Sequence, residues 1–325
     1  MALGGTWLWL ALHSVAIGPA LAATSEAQPG WIVATVACGL GFMLTKAQRW
    51  RPLVDRVAKV PAGLAHRAVW VGGALNLLLV HAGDVLRAAI VARGTGAPPA
   101  AVLATIAVER VFDFGALALL CAAALLFDPR VGPTLGMAAI AGLAVVAIGV
   151  LAARRLGGQD RAPSTPRSGD ATAAAPGPAP AAPARAREWL RAQRERARTG
   201  LQGLADPGLA LRTGLLSLLQ WAWIVGAIWS SGAAVGSPPA LAGALAVFAL
   251  MIVGLTLPSA PAQLGTTQLA YVAGFALVGL PGSQALAASL VYTGCVVLPQ
   301  LIAGGVLALV SGTRIGLTSP PVPDP

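Results

Sequence analysis

A run of 28 mostly apolar residues, Ala100–Phe127, has the sequence AAVLATIAVERVFDFGALALLCAAALLF. It exceeds the roughly 20 apolar residues that a helix needs to cross a bilayer. Glu109, Arg110 and Asp113 interrupt it, and the nine residues before Glu109 rise about 14 Å in a helix, close to the bilayer midplane. A charge at that depth costs several kcal/mol, so these side chains must be paired and must face protein or water. The stretch therefore predicts a transmembrane helix with a polar interior face.

The composition of the whole chain is typical of a membrane protein. Of its 325 residues, 56% are hydrophobic and only 10% are charged, whereas a soluble globular chain carries about 25% charged residues. The apolar residues fall in long runs that a soluble core of this size cannot bury. We therefore expect an all-α, polytopic integral membrane protein in the inner membrane of a bacterium.

The net charge of +10 comes mostly from arginines that stand between the apolar runs. No nucleic-acid recognition motif accompanies them, so we expect no nucleic-acid partner and interpret the charge as the cytoplasmic excess of a membrane protein. The three cysteines are isolated within apolar runs and lack the spacing of metal ligands. No P-loop, zinc motif or nucleophile motif is present. We therefore expect no metal, no cofactor and no catalytic residue.

Positive charge also predicts the topology. Residues 45–67 hold six basic residues and one acidic residue, and residues 154–208 hold ten and five, so both should be cytoplasmic. An even number of crossings must then separate them. Three apolar runs lie between, and the first, 68–80, has only 13 residues, too few for a span. We therefore expect residues 68–95 to enter the membrane from the cytoplasm, turn near Gly83 and return.

The second half predicts a similar hairpin, in which residues 241–280 dip in from the outside and turn between Pro258 and Gly265. The resulting architecture has about six full spans and two re-entrant helical hairpins. Hairpins that enter from opposite faces are typical of transporters built as inverted repeats, with the site where the broken helices meet. An offset of 184 residues supports such a repeat, because it aligns Asp84 with Gln268, Ala101 with Ala285 and Glu109 with Thr293.

The chain divides into four parts. Residues 154–184 are rich in Pro, Ala, Ser and Gly and predict a disordered linker, and residues 185–204 predict a basic helix, either solvated or bound to the anionic leaflet. The first run, Ala2–Ala23, is either a signal peptide or a retained helix, and the lack of a preceding basic residue favours the helix. The parts are an N-terminal membrane half (residues 1–153), a cytoplasmic linker with the basic helix (154–208), a C-terminal membrane half (209–312) and a disordered tail (313–325).

Two clusters of ionisable residues inside apolar sequence are the first candidates for substrate binding: His81, Asp84 and Arg87 at the first turn, and Glu109, Arg110 and Asp113 in the long helix. Spacings of three residues predict that Asp84 faces Arg87 and that Arg110 reaches Asp113. One interpretation is a buried ion-pair network that locks two broken helices together. The other is a polar cavity, shared by Arg87 and Arg110, in which planar guanidinium groups bind a lipid phosphate.

The second half offers a candidate at its break, which contains Pro258, Pro261, Gly265 and Gln268. Non-helical backbone at membrane depth is tolerated only beside protein or a water-filled cavity. The segment would therefore close the site from the other face of the membrane. The alternative interpretation is an ordinary extracellular loop between two helices.

Several short motifs, in a fixed order, resemble those of one family. They are Arg49-Trp50, the turn from Asn76 through Gly83-Asp84 to Arg87, Glu109-Arg110-Val-Phe-Asp113, and Pro258-Ser-Ala-Pro261-Ala-Gln-Leu-Gly265-Thr-Thr-Gln268. Except for the linker, the chain resembles the transmembrane region of lysylphosphatidylglycerol synthase and its stand-alone, flippase-like relatives. It departs from the family pattern at Val80, His81, Ala262, Gln268 and Thr293. The last two replace an acid and a base.

The resemblance implies that the protein translocates a phospholipid or a polyprenyl-phosphate-linked lipid between leaflets, with an anionic phosphate head group as its partner. It does not imply synthesis, because the synthase needs a large soluble aminoacyl-transferring domain and only a short tail follows residue 312. Two alternatives stay open: a membrane enzyme that acts on a lipid phosphate, and a non-catalytic subunit of a cell-envelope lipid or glycolipid synthesis complex. The lipid, the direction, the energy source and the oligomeric state, including a homo-oligomer, also stay open.

Overall fold

The computed structural model describes residues 15–79, 81–125, 132–157, 206–254 and 261–312, together with Trp9 and His13. These residues form helices and turns and include no strand, as the predicted all-α class requires. The predicted linker and basic helix lie outside the described residues, as do Pro258 and the tail. Residues 154–157, predicted as the start of the linker, instead complete a helix that ends at Gly157.

The helix boundaries follow the apolar runs closely in most places. In the first half the helices are α1 (Ile17–Ser25), α2 (Pro29–Val54), α3 (Ala62–Leu78), α4 (Ala82–Thr95), α5 (Pro99–Leu125) and α6 (Gly132–Gly157). In the second half they are α7 (Pro207–Ala234), α8 (Leu241–Gly254), α9 (Thr266–Leu277), α10 (Gly282–Tyr292) and α11 (Leu298–Gly312). A 3₁₀ turn, Pro261–Gln263, precedes α9, and a π-helical turn, Thr293–Val297, joins α10 to α11.

Among the described residues, three helical stretches are long and apolar enough to cross a membrane: α2, α7 and the continuous run Gly282–Ser311. Helix α5 is as long, with 27 residues, but carries Glu109, Arg110 and Asp113 near its centre. The hairpin helices are shorter, with 17 residues in α3, 14 in α4, 14 in α8 and 12 in α9. The chain therefore combines membrane-length helices with helices that fall short of the roughly 20 residues of a span.

Helix α2 continues well past Leu44, the last residue of the apolar run that predicts it, and ends at Val54. Residues 45–54, predicted to belong to a cytoplasmic loop, are therefore helical. The turn that follows is short and closed by its own side chains. The Val60 N–H donates to Asp55 Oδ1 at 2.8 Å, and Arg51 Nε donates to the Val60 carbonyl at 3.2 Å.

Helices α3 and α4 pack on each other as the predicted hairpin. The chain reverses at His81, which has a left-handed φ of 65°, and Gly83 already lies in the first turn of α4. Gly83 is needed for another reason: its Cα faces the backbone carbonyl of Gly72, and a Cβ there would clash. Asn76 Oδ1 accepts the Gly83 N–H at 2.8 Å and so fixes the start of α4.

Helices α8 and α9 form the second hairpin. Its described turn contains Ala262 and Gln263 with φ of 62° and 56°, followed by Gly265 with φ of 91°. Non-glycine residues with positive φ are uncommon and often mark functional sites. In the described part of the chain they occur at His81, Ala262 and Gln263 alone, and therefore only at the two hairpin turns.

The two halves are arranged reciprocally. Helices α2 and α7, the first long helix of each half, share the most extensive helix–helix contact. The first hairpin packs on α11 through α3, and the second packs on α5 and α6 through α8. Asp84 and Gln268 are each the third residue of their helix, as the 184-residue offset requires. The arrangement supports the predicted repeat.

An ion pair at one end of the bundle joins the halves. Arg56, in the turn after α2, pairs with Asp206, which caps α7 and accepts the N–H groups of Gly208 and Leu209 at 3.0 and 3.1 Å. The Leu209 N–H, followed by the charge of Arg56, holds the pKa of Asp206 below its usual value of 3.8. The turn after α2 and the start of α7 therefore lie at the same end of the bundle.

Candidate functional site

A buried ion-pair network has Arg49 of α2 at its centre. Arg49 Nη2 donates to Glu109 Oε1 at 3.0 Å, and Nη1 donates to Asp113 and, at 2.8 Å, to Ser217 Oγ of α7. The Arg49 side chain is fully buried, and the two carboxylates are 2% and 9% exposed. One buried guanidinium thus holds two buried carboxylates, which would be costly if either were left unpaired.

Arg87 of α4 belongs to the same network. It ion-pairs with the second oxygen of Glu109, and its guanidinium lies over the Trp50 ring, 4.2 Å from the ring centroid. Its side chain is 2% exposed. Asp84 and Arg87, three residues apart on α4, do not form an ion pair with each other: Arg87 is paired with Glu109, and Asp84 is paired with Arg110.

Arg110 of α5 is the exposed member of the network. Its Nη2 donates to Asp84 Oδ2 at 2.6 Å, and its Nη1 lies 3.7 Å from Asp113 Oδ2. The predicted pairing of Arg110 with Asp113 is therefore confirmed, with Asp84 as a second partner. The Arg110 side chain is 37% exposed, so part of it remains available for contacts beyond the network.

Neutral donors complete the network at its two ends. Asn76 Nδ2 donates to Asp84 Oδ1 at 3.1 Å, and Trp221 Nε1 of α7 donates to Asp113 Oδ1 at 3.0 Å. A continuous chain of contacts therefore runs from Arg87 through Arg49 to Arg110. It links α2, α4, α5 and α7, and its three arginines balance the carboxylates of Asp84, Glu109 and Asp113. This is the ion-pair network that locks helices together, one of the two interpretations of the sequence.

A cavity of about 180 Å³ lies beside the exposed end of the network. Residues of both halves line it, among them His81 and Arg110 of the first half and Gln263 and Tyr292 of the second. Because His81 and Gln263 are the turn residues with positive φ, both hairpin turns meet at this cavity. A second cavity of about 120 Å³ is also lined by His81 and Arg110 and extends towards Asp113. Arg87 lines neither cavity. The prediction that Arg87 shares a cavity with Arg110 is therefore wrong.

Lys46 supplies the unbalanced charge of the cavity wall. It lies one turn before Arg49 on α2, and its Nζ is 5.7 Å from the centroid of the Phe42 ring. No carboxylate of the described residues lies within 4 Å of it. Because the network beside it is balanced, Lys46 makes the cavity positive.

Of the residues predicted in the second half, Pro258 lies outside the described residues, and Pro261, Gly265 and Gln268 do not line the cavity. Pro261 begins the exposed 3₁₀ turn, and Gly265 is buried at the start of α9. Gln268 is 2% exposed, and its Oε1 accepts the Gly265 N–H at 2.7 Å, while its Nε2 donates to Thr293 Oγ1 at 3.4 Å. Gln268 thus stabilises the hairpin turn, and its contact with Thr293 brings together the two positions where the family pattern has an acid and a base.

Comparison with known proteins identifies a family for the chain. The model of the lysylphosphatidylglycerol synthase transmembrane region matches residues 1–304. The chain belongs to this family. No curated protein matches it in a sequence search. Membership of the lysylphosphatidylglycerol synthase transmembrane family, together with the apolar helices, identifies the chain as a membrane protein.

Arg49 and Lys46 are the site residues that the sequence did not predict. The Arg49-Trp50 motif contributes to the family resemblance, but both basic residues were assigned to a loop because they follow the apolar run. One signal could have located them: the run Trp31–Leu44 has only 14 residues, too few for a span, so the helix had to continue through the charges. Within the described ranges, no group of His, Cys, Asp or Glu residues could hold a metal ion.

Proposed function

We propose that this protein translocates an anionic lipid, a phospholipid or a polyprenyl-phosphate-linked lipid, between the leaflets of a bacterial inner membrane. The observation that carries the proposal is the positive cavity between the two hairpin turns, where Lys46 has no carboxylate partner among the described residues and Arg110 is partly exposed. In this proposal the chain moves the lipid and does not synthesise it.

The charge and size of the cavity favour a phosphate head group. Lysine binds phosphate as a point charge, and arginine does so through a planar pair of donors. Lys46 and Arg110 line the same cavity, with Asn76 and His81 as further polar neighbours. Its volume of about 180 Å³ lies below the roughly 300–1,000 Å³ of pockets that enclose drug-sized ligands. The cavity therefore suits a head group, with the hydrocarbon chains left outside.

The short hairpins supply a route for the head group. We propose that α3–α4 and α8–α9 are re-entrant and dip into the membrane from opposite faces, so that their turns meet at the cavity. The Arg56–Asp206 pair supports placing the turn after α2 and the start of α7 on one side, which the positive charge of 45–67 and 154–208 makes cytoplasmic. Movement of one hairpin would open the cavity to one leaflet at a time.

The test is a flipping assay in liposomes that contain the purified protein and head-group-labelled phosphatidylglycerol or phosphatidylcholine. Wild type should transfer the anionic lipid faster than protein-free liposomes do. Lys46→Gln should slow the transfer about tenfold, the effect of losing one charge-assisted contact. Lys59→Gln is the matched control, because Lys59 is exposed in the turn after α2 and does not line the cavity.

Two results would overturn the proposal. One is a wild-type rate equal to that of protein-free liposomes for every labelled lipid tested. The other is equal transfer by wild type and Lys46→Gln, with both proteins folded as judged by circular dichroism. In the second case the protein would be a transporter that recognises its lipid elsewhere.

A further inference from the structure

A third pocket, with a different character, opens between α5, α7 and α8. We name it the lateral groove. It has a volume of about 480 Å³, and its lining is apolar apart from the indole N–H of Trp229. The wall residues used below are Leu120 and Ala123 of α5, Ala222 and Val225 of α7, and Leu241 and Leu245 of α8.

The lateral groove continues the faces that line the charged cavities. On α5, Asp113 and Leu117 line the 120 Å³ cavity, and Leu120 and Ala123 line the groove. Steps of three or four residues keep these side chains on one face of a helix. The face is polar at Asp113 and wholly apolar from Leu117 onwards.

The other two walls show the same continuity. On α7, Trp221 lines both charged cavities, and Val225, four residues later, lines the groove. On α8, Ile252 lines both charged cavities, and Leu245 and Leu241 line the groove. All three helices therefore carry a stripe that begins at the phosphate-sized cavity and ends in the apolar groove.

The length of the stripe matches a lipid chain. Ten residues separate Asp113 from Ala123, and eleven separate Leu241 from Ile252, which corresponds to about 15–16 Å at 1.5 Å per residue. One leaflet contributes about 15 Å to the hydrocarbon core of a bilayer. The groove volume falls within the roughly 300–1,000 Å³ of pockets that enclose drug-sized ligands.

We infer that the lateral groove binds a hydrocarbon chain of the same anionic lipid whose phosphate occupies the cavity at Lys46 and Arg110. The inference rests on the proposed function for the head group and adds the site of the chain. Two observations favour a lipid chain over a helix of a second protein: the groove leads to a positive cavity, as an anionic amphiphile requires, and the residues that line it include no charged, amide or hydroxyl side chain.

The first test is photolabelling. The protein is reconstituted in phosphatidylethanolamine liposomes that contain phosphatidylglycerol with a diazirine on one acyl chain, and labelled peptides are mapped by mass spectrometry. We expect labels at Ala222 and Ala123, and at least a fivefold loss of these labels in Lys46→Gln, since the head group positions the chain. Labelling at Leu215, an exposed α7 residue outside the groove, should not change.

The second test narrows the groove. Ala123→Trp should slow the flipping of long-chain phosphatidylglycerol about tenfold, and dihexanoyl phosphatidylglycerol should be affected far less, because Ala123 lies at the far end of the groove, beyond the reach of its short chains. Leu119→Trp, at an exposed residue of the same helix that does not line the groove, is the matched control. If Ala123→Trp does not fold, the photolabelling experiment alone decides.

The outcomes separate the two proposals. Groove labels that depend on Lys46, without any flipping, would support the lipid site and contradict translocation. Flipping that depends on Lys46, without groove labels, would support translocation and overturn the groove assignment. Groove labels that persist in Lys46→Gln would also overturn it, because they would show ordinary contact with bulk lipid. A second copy of the chain could instead cover the groove and exclude the label. A cross-linked dimer formed through Ala222→Cys would detect that copy and would assign the groove to a homo-oligomer interface.

Discussion

The two halves of the protein build the same junction with different chemistry. In the first half, the hairpin helix α4 is bound to the long helix α5 by ion pairs, Arg87 with Glu109 and Asp84 with Arg110. In the second half, α9 is bound to the segment after α10 by one hydrogen bond, from Gln268 to Thr293. Through the 184-residue offset Gln268 corresponds to Asp84 and Thr293 to Glu109, so each residue of the neutral contact corresponds to one member of a first-half ion pair.

The packing around the second junction is aromatic where the first is ionic. The Tyr271 and Tyr292 rings lie 5.8 Å apart, and Tyr271 Oη shares a hydrogen bond of 3.0 Å with Ser231. A neutral junction of this kind needs no buried counter-charge. The first junction, by contrast, places a partly exposed charge, Arg110, beside Lys46 in the cavity wall.

The strongest test of this contrast is Arg49→Met. It leaves the buried carboxylate of Asp113 without its main partner and takes one of two partners from Glu109, so we expect a loss of about 3–5 kcal/mol in the free energy of unfolding. Denaturation in detergent, followed by tryptophan fluorescence, measures the loss. In the neutral half, Ser231→Ala removes one hydrogen bond from Tyr271 and should cost about 1 kcal/mol.

A double variant separates charge from packing in the same experiment. Arg49→Met combined with Asp113→Asn leaves Arg87 paired with Glu109 and Arg110 paired with Asp84. We therefore expect it to be more stable than Arg49→Met alone. If the two losses were instead additive, the network would not behave as an electrostatic unit.

The second prediction concerns Arg87, which the sequence assigned to lipid binding. Arg87→Leu removes one of the two arginines on Glu109 and the cation–π contact with Trp50, so we expect a loss of about 2–3 kcal/mol. The preference for anionic over zwitterionic lipid in the flipping assay should stay as in wild type, because Arg87 does not line the cavity. If a folded Arg87→Leu protein lost the preference for anionic lipid, Arg87 would have to take part in lipid binding.

The sequence predicted most of the helix pattern because the apolar runs and the Gly and Pro breaks are local signals. The run 68–80 and the turn after it became α3 and α4, and the depth of Glu109 in the membrane was sufficient to predict that the residue is paired. The pairing itself could not be predicted. Arg49 lies 60 and 64 residues before its partners, and a spacing of three residues on one helix does not determine which neighbouring helix each side chain meets.

The same limit explains why the second half was harder to interpret. The loss of an acid and a base was visible in the sequence at Gln268 and Thr293, but their remaining contact was not. The structure keeps the two side chains together as a hydrogen-bonded pair, with Gln268 also capping its own helix. The local sequence shows that Gln268 and Thr293 replace an acid and a base. Only the packed helices show that their side chains remain in contact.

The third prediction introduces a charge into the neutral junction. Gln268→Glu places a carboxylate at a side chain that is 2% exposed, and we expect a loss of about 1–2 kcal/mol. Adding Thr293→Lys supplies a base at the contacting position and should recover part of that loss. Thermal unfolding of both variants decides the matter: a double variant less stable than Gln268→Glu would show that the second junction has lost the space for an ion pair along with its charges.

The smallest effect is expected at the exposed ion pair that joins the halves, Arg56 with Asp206. The folded state lowers the pKa of Asp206 below 3.8, through the Leu209 N–H first, so the ionised carboxylate stabilises the folded protein. That contribution is complete above the unfolded pKa of 3.8 and is lost as the pH falls through the lower, folded pKa. Asparagine still caps a helix but cannot titrate. Unfolding midpoints of wild type and Asp206→Asn should therefore differ slightly and constantly above about pH 5 and converge below about pH 3. A difference that persisted at the lower pH would mean that helix capping, and not the charge of Asp206, accounts for the effect of the substitution.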